Sequence, residues 1–196
     1  DVTLVATNAL GNDTETKIDY ITVTDVPPYC ASQGNSQVDE YIGRVQVADL
    51  DNSSGPSPYT DFTGLTANMT AGTIVNVTLT PTYTGTLYTE YWTIWIDYNR
   101  DGDFEDAGES VFSGFGTTPV SGSFTVQSGV EVNARMRVTM KYGSYATPCE
   151  TFTYGEVEDY TANITAVGEN LPPVADFTFG VSGLTVTFTD ASSDPD

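Results

Sequence analysis

The sequence contains no histidine, and its six lysine and arginine residues face 27 aspartate and glutamate residues, for a formal net charge of −21. Without histidine the chain can build neither a Ser-His-Asp nor a Cys-His catalytic centre, and it lacks the usual zinc ligand. Such a negative surface repels phosphate backbones and anionic lipid headgroups. We therefore expect no nucleic-acid partner and no membrane-surface partner, while catalysis by carboxylates alone stays open.

Cysteine and long apolar runs are also scarce. The two cysteines of this 196-residue chain, Cys30 and Cys149, lack the CxxC spacing of redox motifs and zinc ribbons. They are either two separate buried thiols or a disulfide, which would stabilise the fold by about 4–5 kcal/mol in the loop-closure model. The apolar stretches are only strand-sized, so no membrane insertion is expected. Abundant Thr, Ser, Asn and Gly with few Lys favour a secreted, extracellular or cell-surface protein.

Alternation of apolar and polar residues is the dominant pattern. Residues 132–140 alternate throughout, and Val75, Val77 and Leu79 share one face of a second segment. Glycine and proline separate many such short segments, and no window shows a 3.6-residue apolar period. The pattern predicts an all-β fold, an antiparallel β-sandwich of jelly-roll type.

An acidic segment at residues 97–109 carries oxygen side chains at every second position. They belong to Asp97, Asn99, Asp101 and Asp103, with Gly102 at the sixth position and Glu109 closing the segment. Ca²⁺ takes six to eight oxygen ligands, and this spacing resembles that of calcium loops. Because an aromatic, β-branched strand precedes it, we predict a Ca²⁺ loop between strands rather than an EF-hand. The alternative is an acidic surface turn that binds nothing.

Two proline pairs divide the chain. They predict linkers at 26–28 and 168–173, which flank a central domain at 29–167. The end segments, 1–25 and 174–196, are each too short to bury an apolar face alone.

The end segments contain PPVADFTF at 172–179 with LTVTFTDASSDPD at 184–196, and DVTLVATNALG at 1–11 with KIDYITVT at 17–24. The first two are similar to the beginning of a PKD domain and the last two to its end, although that family's W-D-F-G-D-G segment is absent. The resemblance implies fragments of immunoglobulin-like sandwiches that space or bind.

The central segment resembles the GEVED domain through YGEVEDY at 154–160, Tyr29-Cys30, the Trp92 strand and the acidic loop. The resemblance implies a secreted bacterial β-sandwich attached to peptidases, other hydrolases or adhesin-like proteins, without a known activity.

The carboxylates of this motif need a partner, because three of them lie within four residues. On a strand, Glu156 and Glu158 project to one face and Asp159 to the other. Three arrangements stay open: Glu158 or Glu156 completes the Asp97 loop as a metal ligand, Arg135 or Arg137 pairs with them, or they are solvated. A glycosidase pair is a weaker alternative. A further weak cation site is conceivable at residues 49–52.

Three tyrosines, Tyr83, Tyr88 and Tyr91, cluster around one predicted turn. They could form an exposed platform for sugar rings or proline-rich peptides, or be ordinary core residues. We expect a non-catalytic, calcium-stabilised extracellular spacer and adhesion module whose partners are an extracellular protein, a polysaccharide or neighbouring copies. The alternative is a substrate-binding accessory domain of a secreted hydrolase, such as a peptidase or chitinase.

Overall fold

The computed structural model describes residues 2–18, 28–168 and 174–193. Within these ranges the protein is all-β, with fourteen strands and no helix, and therefore no helix with the length and apolar character needed to span a bilayer. The strands are β1 (Val2–Asn8), β2 (Gly11–Lys17), β3 (Gln33–Ser36), β4 (Glu40–Val47), β5 (Leu50–Ser53), β6 (Tyr59–Thr70), β7 (Ile74–Tyr83), β8 (Glu90–Ile96), β9 (Ser110–Gly116), β10 (Val120–Thr125), β11 (Val132–Tyr142), β12 (Thr151–Thr165), β13 (Phe177–Ser182) and β14 (Thr185–Asp190).

Two sheets build the central part. One has four strands in the order β10-β7-β4-β5, and the other has six, in the order β3-β12-β11-β8-β9 with β6 also paired to β12. Most pairs are antiparallel, as predicted. The two halves of β12 instead pair in parallel with β3 and β6. At 15 residues, β12 is long enough to carry two short partners one after the other.

The six-stranded sheet is buried on both faces, which explains the nearly continuous burial of β8. Its inner face and the four-stranded sheet enclose the main core, which includes Ile42, Val45, Leu79, Trp92, Ile94, Ile96, Met136, Val138 and Tyr160. Its outer face carries a smaller outer cluster of Trp95, Phe104, Ala146, Phe152 and Val157, against which Tyr29 packs. Residues that lie opposite each other in neighbouring strands point to the same face of the sheet. A position along β8, β11 or β12 is therefore assigned to the inner face if its neighbours belong to the main core, and to the outer face if they belong to the outer cluster.

The cysteines are joined. Cys30 and Cys149 form a disulfide with a Cα–Cα distance of 5.4 Å across a sequence separation of 119 residues. The predicted disulfide is therefore confirmed, and separate thiols are excluded. A structural disulfide of this kind indicates an oxidising, extracellular environment.

Two hairpins flank the central part. β1 pairs with β2, and β13 pairs with β14, in separate two-stranded sheets whose residues are all exposed. Apolar residues such as Leu4 and Phe188 are about two-thirds exposed, at 68% and 65%. Apart from Pro28 and Gly168, the predicted linkers lie outside the described residues.

Candidate functional site: an acidic loop and a strand of carboxylates

Asp97 holds the loop that connects β8 to β9. Its side chain is fully buried. One carboxylate oxygen accepts a hydrogen bond from the backbone N–H of Arg100 at 2.6 Å. The other accepts from the backbone N–H of Gly102 at 3.1 Å and from the Tyr29 hydroxyl at 2.6 Å. Asp97 therefore fixes the loop's turn and ties the loop to the outer cluster.

The two-residue spacing of the loop produces a series of Asx turns. The Asn99 side-chain oxygen accepts from the Asp101 N–H at 3.0 Å, Asp101 from Asp103 at 3.2 Å, and Asp103 from Glu105 at 2.9 Å. An Asx side chain bonds the backbone two residues on, so this spacing is also that of consecutive turns. Gly102 has φ +94°, a conformation that glycine adopts without strain.

Glu109 closes the loop from its carboxyl-terminal end. It is 2% exposed, and its carboxylate accepts from the backbone N–H of Tyr98 at 3.0 Å and of Asp106 at 3.3 Å. Burial raises its pKa to about 7. The loop thus has a buried carboxylate at each end and exposed acids between them.

The loop fits Ca²⁺ by residue type but not as a preformed metal centre. Its side-chain donors are the hard oxygens that Ca²⁺ prefers. However, the Asn99 amide nitrogen lies between carboxylate oxygens of Asp101, at 2.9 Å, and Asp106, at 2.5 Å. Among the described residues, no group of three or more His, Cys, Asp or Glu side chains is gathered to hold a metal ion. In this structure the loop's carboxylates thus accept hydrogen bonds from amide groups of the loop.

The structure does not bring Glu158 to the loop. Glu158 lies opposite Val138, which lies opposite Ile94, and both neighbours belong to the main core. Asp97 projects from the other face, where it contacts Tyr29. The prediction that Glu158 joins Asp97, Asn99, Asp101, Asp103 and Glu109 as a ligand is therefore wrong, because strand alternation places it across the sheet.

Gly155 explains how the motif on β12 begins. Its φ is +120°, and a Cβ built on it would lie 2.0 Å from the Met140 carbonyl oxygen. A Cβ on Gly34 would in turn lie 1.8 Å from the Gly155 carbonyl oxygen. Only glycine permits the close approach of three backbones at this point.

The inner-face carboxylates, Glu156 and Glu158, connect the two sheets. Glu156 accepts from the backbone N–H of Ile42 at 3.0 Å, beside the register shift in β4. Its other oxygen has no hydrogen-bond partner, and burial raises its pKa to about 8. Glu158 contacts the Ser54 hydroxyl at 2.5 Å and the Tyr160 hydroxyl at 2.6 Å.

The Ser54 hydroxyl also lies 2.8 Å from the Ile42 carbonyl oxygen. A hydroxyl has a single proton, so it cannot donate to both this carbonyl and an ionised Glu158. Burial raises the pKa of Glu158, and the hydrogen bonds that it forms with Ser54 and Tyr160 act in the opposite direction.

The outer-face carboxylate, Asp159, pairs with both arginines of β11. Arg137 donates two hydrogen bonds to it at 2.7 and 2.8 Å, and Arg135 donates one at 3.0 Å. Arg137 also donates to the carbonyl oxygens of Cys30 and Pro148, at 3.0 and 2.8 Å. Pairing of these arginines with Glu156 or Glu158 is one of the three arrangements left open by the sequence. The arginines pair instead with Asp159, which shares their face, and hold the chain beside the disulfide.

A family model, that of the GEVED domain, matches residues 91–163. Over these residues the chain is similar to the GEVED domain. The matched span contains the acidic loop, β11 and the carboxylates of β12. No curated protein and no solved structure matches the chain.

The three tyrosines that could form a platform separate into two groups around β8. Tyr83 donates from its hydroxyl to the Tyr88 carbonyl oxygen at 2.8 Å. The Tyr88 ring contacts Tyr142, with the centroids 5.4 Å apart. Tyr91 instead stacks on Phe115 and meets the edge of Tyr145. The three rings therefore do not form one surface.

The acidic turn at residues 49–52 has protein partners. Asp49 accepts from the backbone and side-chain nitrogens of Asn68, and Asp51 pairs with Arg44. Asn52 donates to the Tyr160 hydroxyl at 2.9 Å. These contacts account for the turn without a cation.

Two further buried glutamates, both outside the matched span, are not found by the sequence reasoning. Glu40 and Glu90 are 2% and 0% exposed. One oxygen of Glu40 and both oxygens of Glu90 have no hydrogen-bond partner. Burial, reinforced by the charge of Glu40, raises the pKa of Glu90 to about 8. Each of the two glutamates is the first residue of a strand. At that position the surrounding sequence does not indicate whether the side chain points into the core or out to solvent.

Proposed function

We propose that the chain is a non-catalytic, calcium-stabilised module of a secreted or surface-displayed protein, where it acts as a spacer and adhesion unit. The observation that carries the non-catalytic part of this proposal is that the acids of the β12 motif and at both ends of the loop belong to the scaffold. Asp97, Glu109, Glu156, Glu158 and Asp159 are all at most 2% exposed. Side chains buried in this way hold strands and loops together and cannot contact a substrate.

The glycosidase alternative loses its support for the same reason. It required Glu156 and Glu158 to flank a sugar as proton donor and nucleophile. Both are fully buried between the sheets, where they bond Ile42, Ser54 and Tyr160.

Calcium, in this proposal, binds at the exposed side of the loop. Asn99, Asp101 and Asp106 are exposed there, while Asp97 and Glu109 hold the loop's ends. The ion would take the place of the Asn99 amide between the two carboxylates and reduce the self-repulsion of a chain with net charge −21. A cation bound only to the folded state stabilises it by mass action.

Thermal unfolding of the whole chain tests the calcium proposal. We expect Ca²⁺ to raise Tm and a chelator to reverse the rise, with Mg²⁺ less effective because it demands a tighter octahedral shell. The rise should disappear in Asp101→Asn/Asp106→Asn and persist in Glu131→Gln, an exposed acid outside the loop. A Tm that does not respond to Ca²⁺ refutes calcium stabilisation.

The hairpins β1–β2 and β13–β14 are, in the same proposal, parts of PKD-like domains. Their exposed apolar residues support this assignment, because a sandwich covers one face of each sheet with a second sheet. In a longer chain that includes the neighbouring repeats, amide exchange in both hairpins should slow. Equal exchange in the longer chain and in this one would contradict the assignment.

A second candidate, the substrate-binding accessory domain of a hydrolase, is favoured by an exposed aromatic group. Phe115 is 61% exposed and Tyr145 44%, and Tyr91 lies between them. Exposed rings of this kind stack on sugars and on proline. Retention on chitin, cellulose or collagen that is lost in Tyr145→Ala supports this candidate, and no retention on any of the three rejects it.

A further inference from the structure

A small cavity lies where β4 begins and β11 ends. Its volume is about 230 Å³, and its lining consists of Asp39, Glu40, Tyr88, Tyr142 and Tyr154. Pockets for drug-sized ligands measure about 300–1,000 Å³. This cavity therefore suits a single side chain or another small group.

Tyrosine rings form adjoining walls of the cavity. Tyr88 and Tyr142 meet with their centroids 5.4 Å apart and their planes at 75°. Tyr142 and Tyr154 meet at 6.2 Å and 79°. Rings at such angles present more than one π surface to the same space, which is the arrangement of aromatic cages for alkylammonium groups.

Among the described residues, the carboxylates that line the cavity have no positively charged partner. Glu40 is 2% exposed, and its Oε2 has no hydrogen-bond partner. Asp39 lines the same cavity and is exposed. The charges that act on Glu40 and on the nearby Glu90 are negative, those of Asp39 and Glu40 respectively. A buried carboxylate without a partner is costly, and a cation in the cavity would remove that cost.

The cavity is held in shape by hydrogen bonds outside its lining. The Tyr83 hydroxyl donates to the Tyr88 carbonyl oxygen at 2.8 Å, and the Thr84 N–H donates to the Asp39 carbonyl oxygen at 2.9 Å. The segments that carry Tyr88 and Asp39 are both tied to the end of β7. The walls are thus fixed before a ligand arrives, which lowers the entropic cost of binding.

We propose that this cavity binds an alkylammonium group, the lysine side chain of an extracellular protein partner. The amine would lie against the faces of the tyrosines and pair with Glu40, while Asp39 attracts it at the entrance. A Ca²⁺ ion is a poorer match, because it needs six to eight oxygen ligands and three of the five lining residues are tyrosines, whose rings favour an organic cation. The inference deepens the proposed adhesion role by naming the chemistry of the partner, and rests on that role only for the lysine's source.

NMR titration of the ¹⁵N-labelled chain in chelator tests the proposal without calcium. The probe is N-acetyl-lysine-N-methylamide, and the norleucine analogue supplies the same hydrocarbon chain without charge. We expect saturable shifts at Glu40, Tyr88, Tyr142 and Tyr154, with a Kd of about 1–10 mM, as befits one small group. The norleucine analogue should bind at least tenfold more weakly.

Matched variants separate the cavity from the general negative field of the protein. Glu40→Gln and Glu131→Gln each remove one charge, but Glu131 is an exposed acid before the opposite end of β11. Tyr142→Ala and Phe179→Ala each remove an exposed ring, and Phe179, on β13, is outside the lining. Binding should weaken at least tenfold in Glu40→Gln and Tyr142→Ala and change less than twofold in the two controls.

Stability provides an independent readout, because Glu40→Gln should raise Tm at pH 8 by removing repulsion from Glu90. Lost binding in a more stable protein cannot be attributed to unfolding. Equal binding of the norleucine analogue, full binding by Glu40→Gln, or no saturable shifts overturns the proposal. Saturable lysine binding without retention of any lysine-bearing partner protein would contradict the adhesion role and leave the amine site standing.

Discussion

Stability should fall as pH rises from 5.5 to 8.5, because carboxylic acids are buried in the main core. The pKa values of Glu90 and Glu156 are raised from 4.5 to about 8 by burial. Between these values the folded chain holds protons that the unfolded chain has released. Unfolding is therefore favoured by higher pH, and the stabilisation present below pH 4.5 is lost by about pH 8.

The magnitude follows from linkage. Each glutamate changes the free energy of unfolding by about 1.4 kcal/mol per pH unit inside the window. From pH 5.5 to 7.5 the two together should reduce it by about 3–5 kcal/mol, a large part of the 5–15 kcal/mol typical of a domain. Glu109, with a pKa raised to about 7, adds to the same trend. Carboxylates with lowered pKa, such as Asp61, lose their contribution only at lower pH.

Urea unfolding at pH 5.5, 6.5, 7.5 and 8.5, at constant ionic strength with chelator, measures the effect. Glu90→Gln and Glu156→Gln should each make the slope clearly shallower, since glutamine does not titrate, and the remaining slope comes from the other acids with raised pKa, such as Glu109. Glu131→Gln should retain the full slope. A free energy of unfolding that is constant or rises over this range would refute the argument that these acids are protonated in the fold.

Three other perturbations test the scaffold. Replacing both Cys30 and Cys149 by Ser should cost about 4–5 kcal/mol of unfolding free energy, measured by urea titration, and a full loss of folding would exceed the loop-closure estimate. Asp159→Asn should cost about 3–5 kcal/mol because Arg137 stays buried without its carboxylate; a smaller loss would show that the carbonyl oxygens around Arg137 suffice. Gly155→Ala should lower Tm, with at least about 1–3 kcal/mol from backbone strain, whereas Gly168→Ala, in open space, should not.

The β-class and the disulfide could be predicted because local signals determine them. Alternation along residues 132–140 follows directly from the two faces of β11, one against the main core and one carrying Arg135 and Arg137. The parallel pairing of β12 with β3 and β6 could not be predicted, since it depends on partners that are distant in sequence. Local patterns identify strands, but the order of strands depends on long-range packing.

The acidic loop shows a second limit of sequence patterns. Oxygen side chains at every second position supply both a calcium loop and a series of Asx turns, and Asn99, Asp101 and Asp103 form the latter here. Glu158 was assigned to the loop from its charge, although alternation along β12 already placed it with Tyr160 rather than with Asp159. To exclude Glu158 from the loop, one would have to know which residues of β12 lie level with which residues of β8.

The uneven placement of basic residues accounts for the behaviour of the two faces of β12. Arg135 and Arg137, two of only six basic residues, lie on the outer face beside Asp159, which they neutralise. Glu156 and Glu158 face the main core, where Ile42, Ser54 and Tyr160 supply hydrogen bonds without a positive charge. The outer face is therefore stabilised by ion pairs, whereas burial raises the pKa values of the inner-face acids. Because these acids lie between the two sheets, a rise in pH should weaken the contact between the sheets more than it weakens the ion pairs of the outer face.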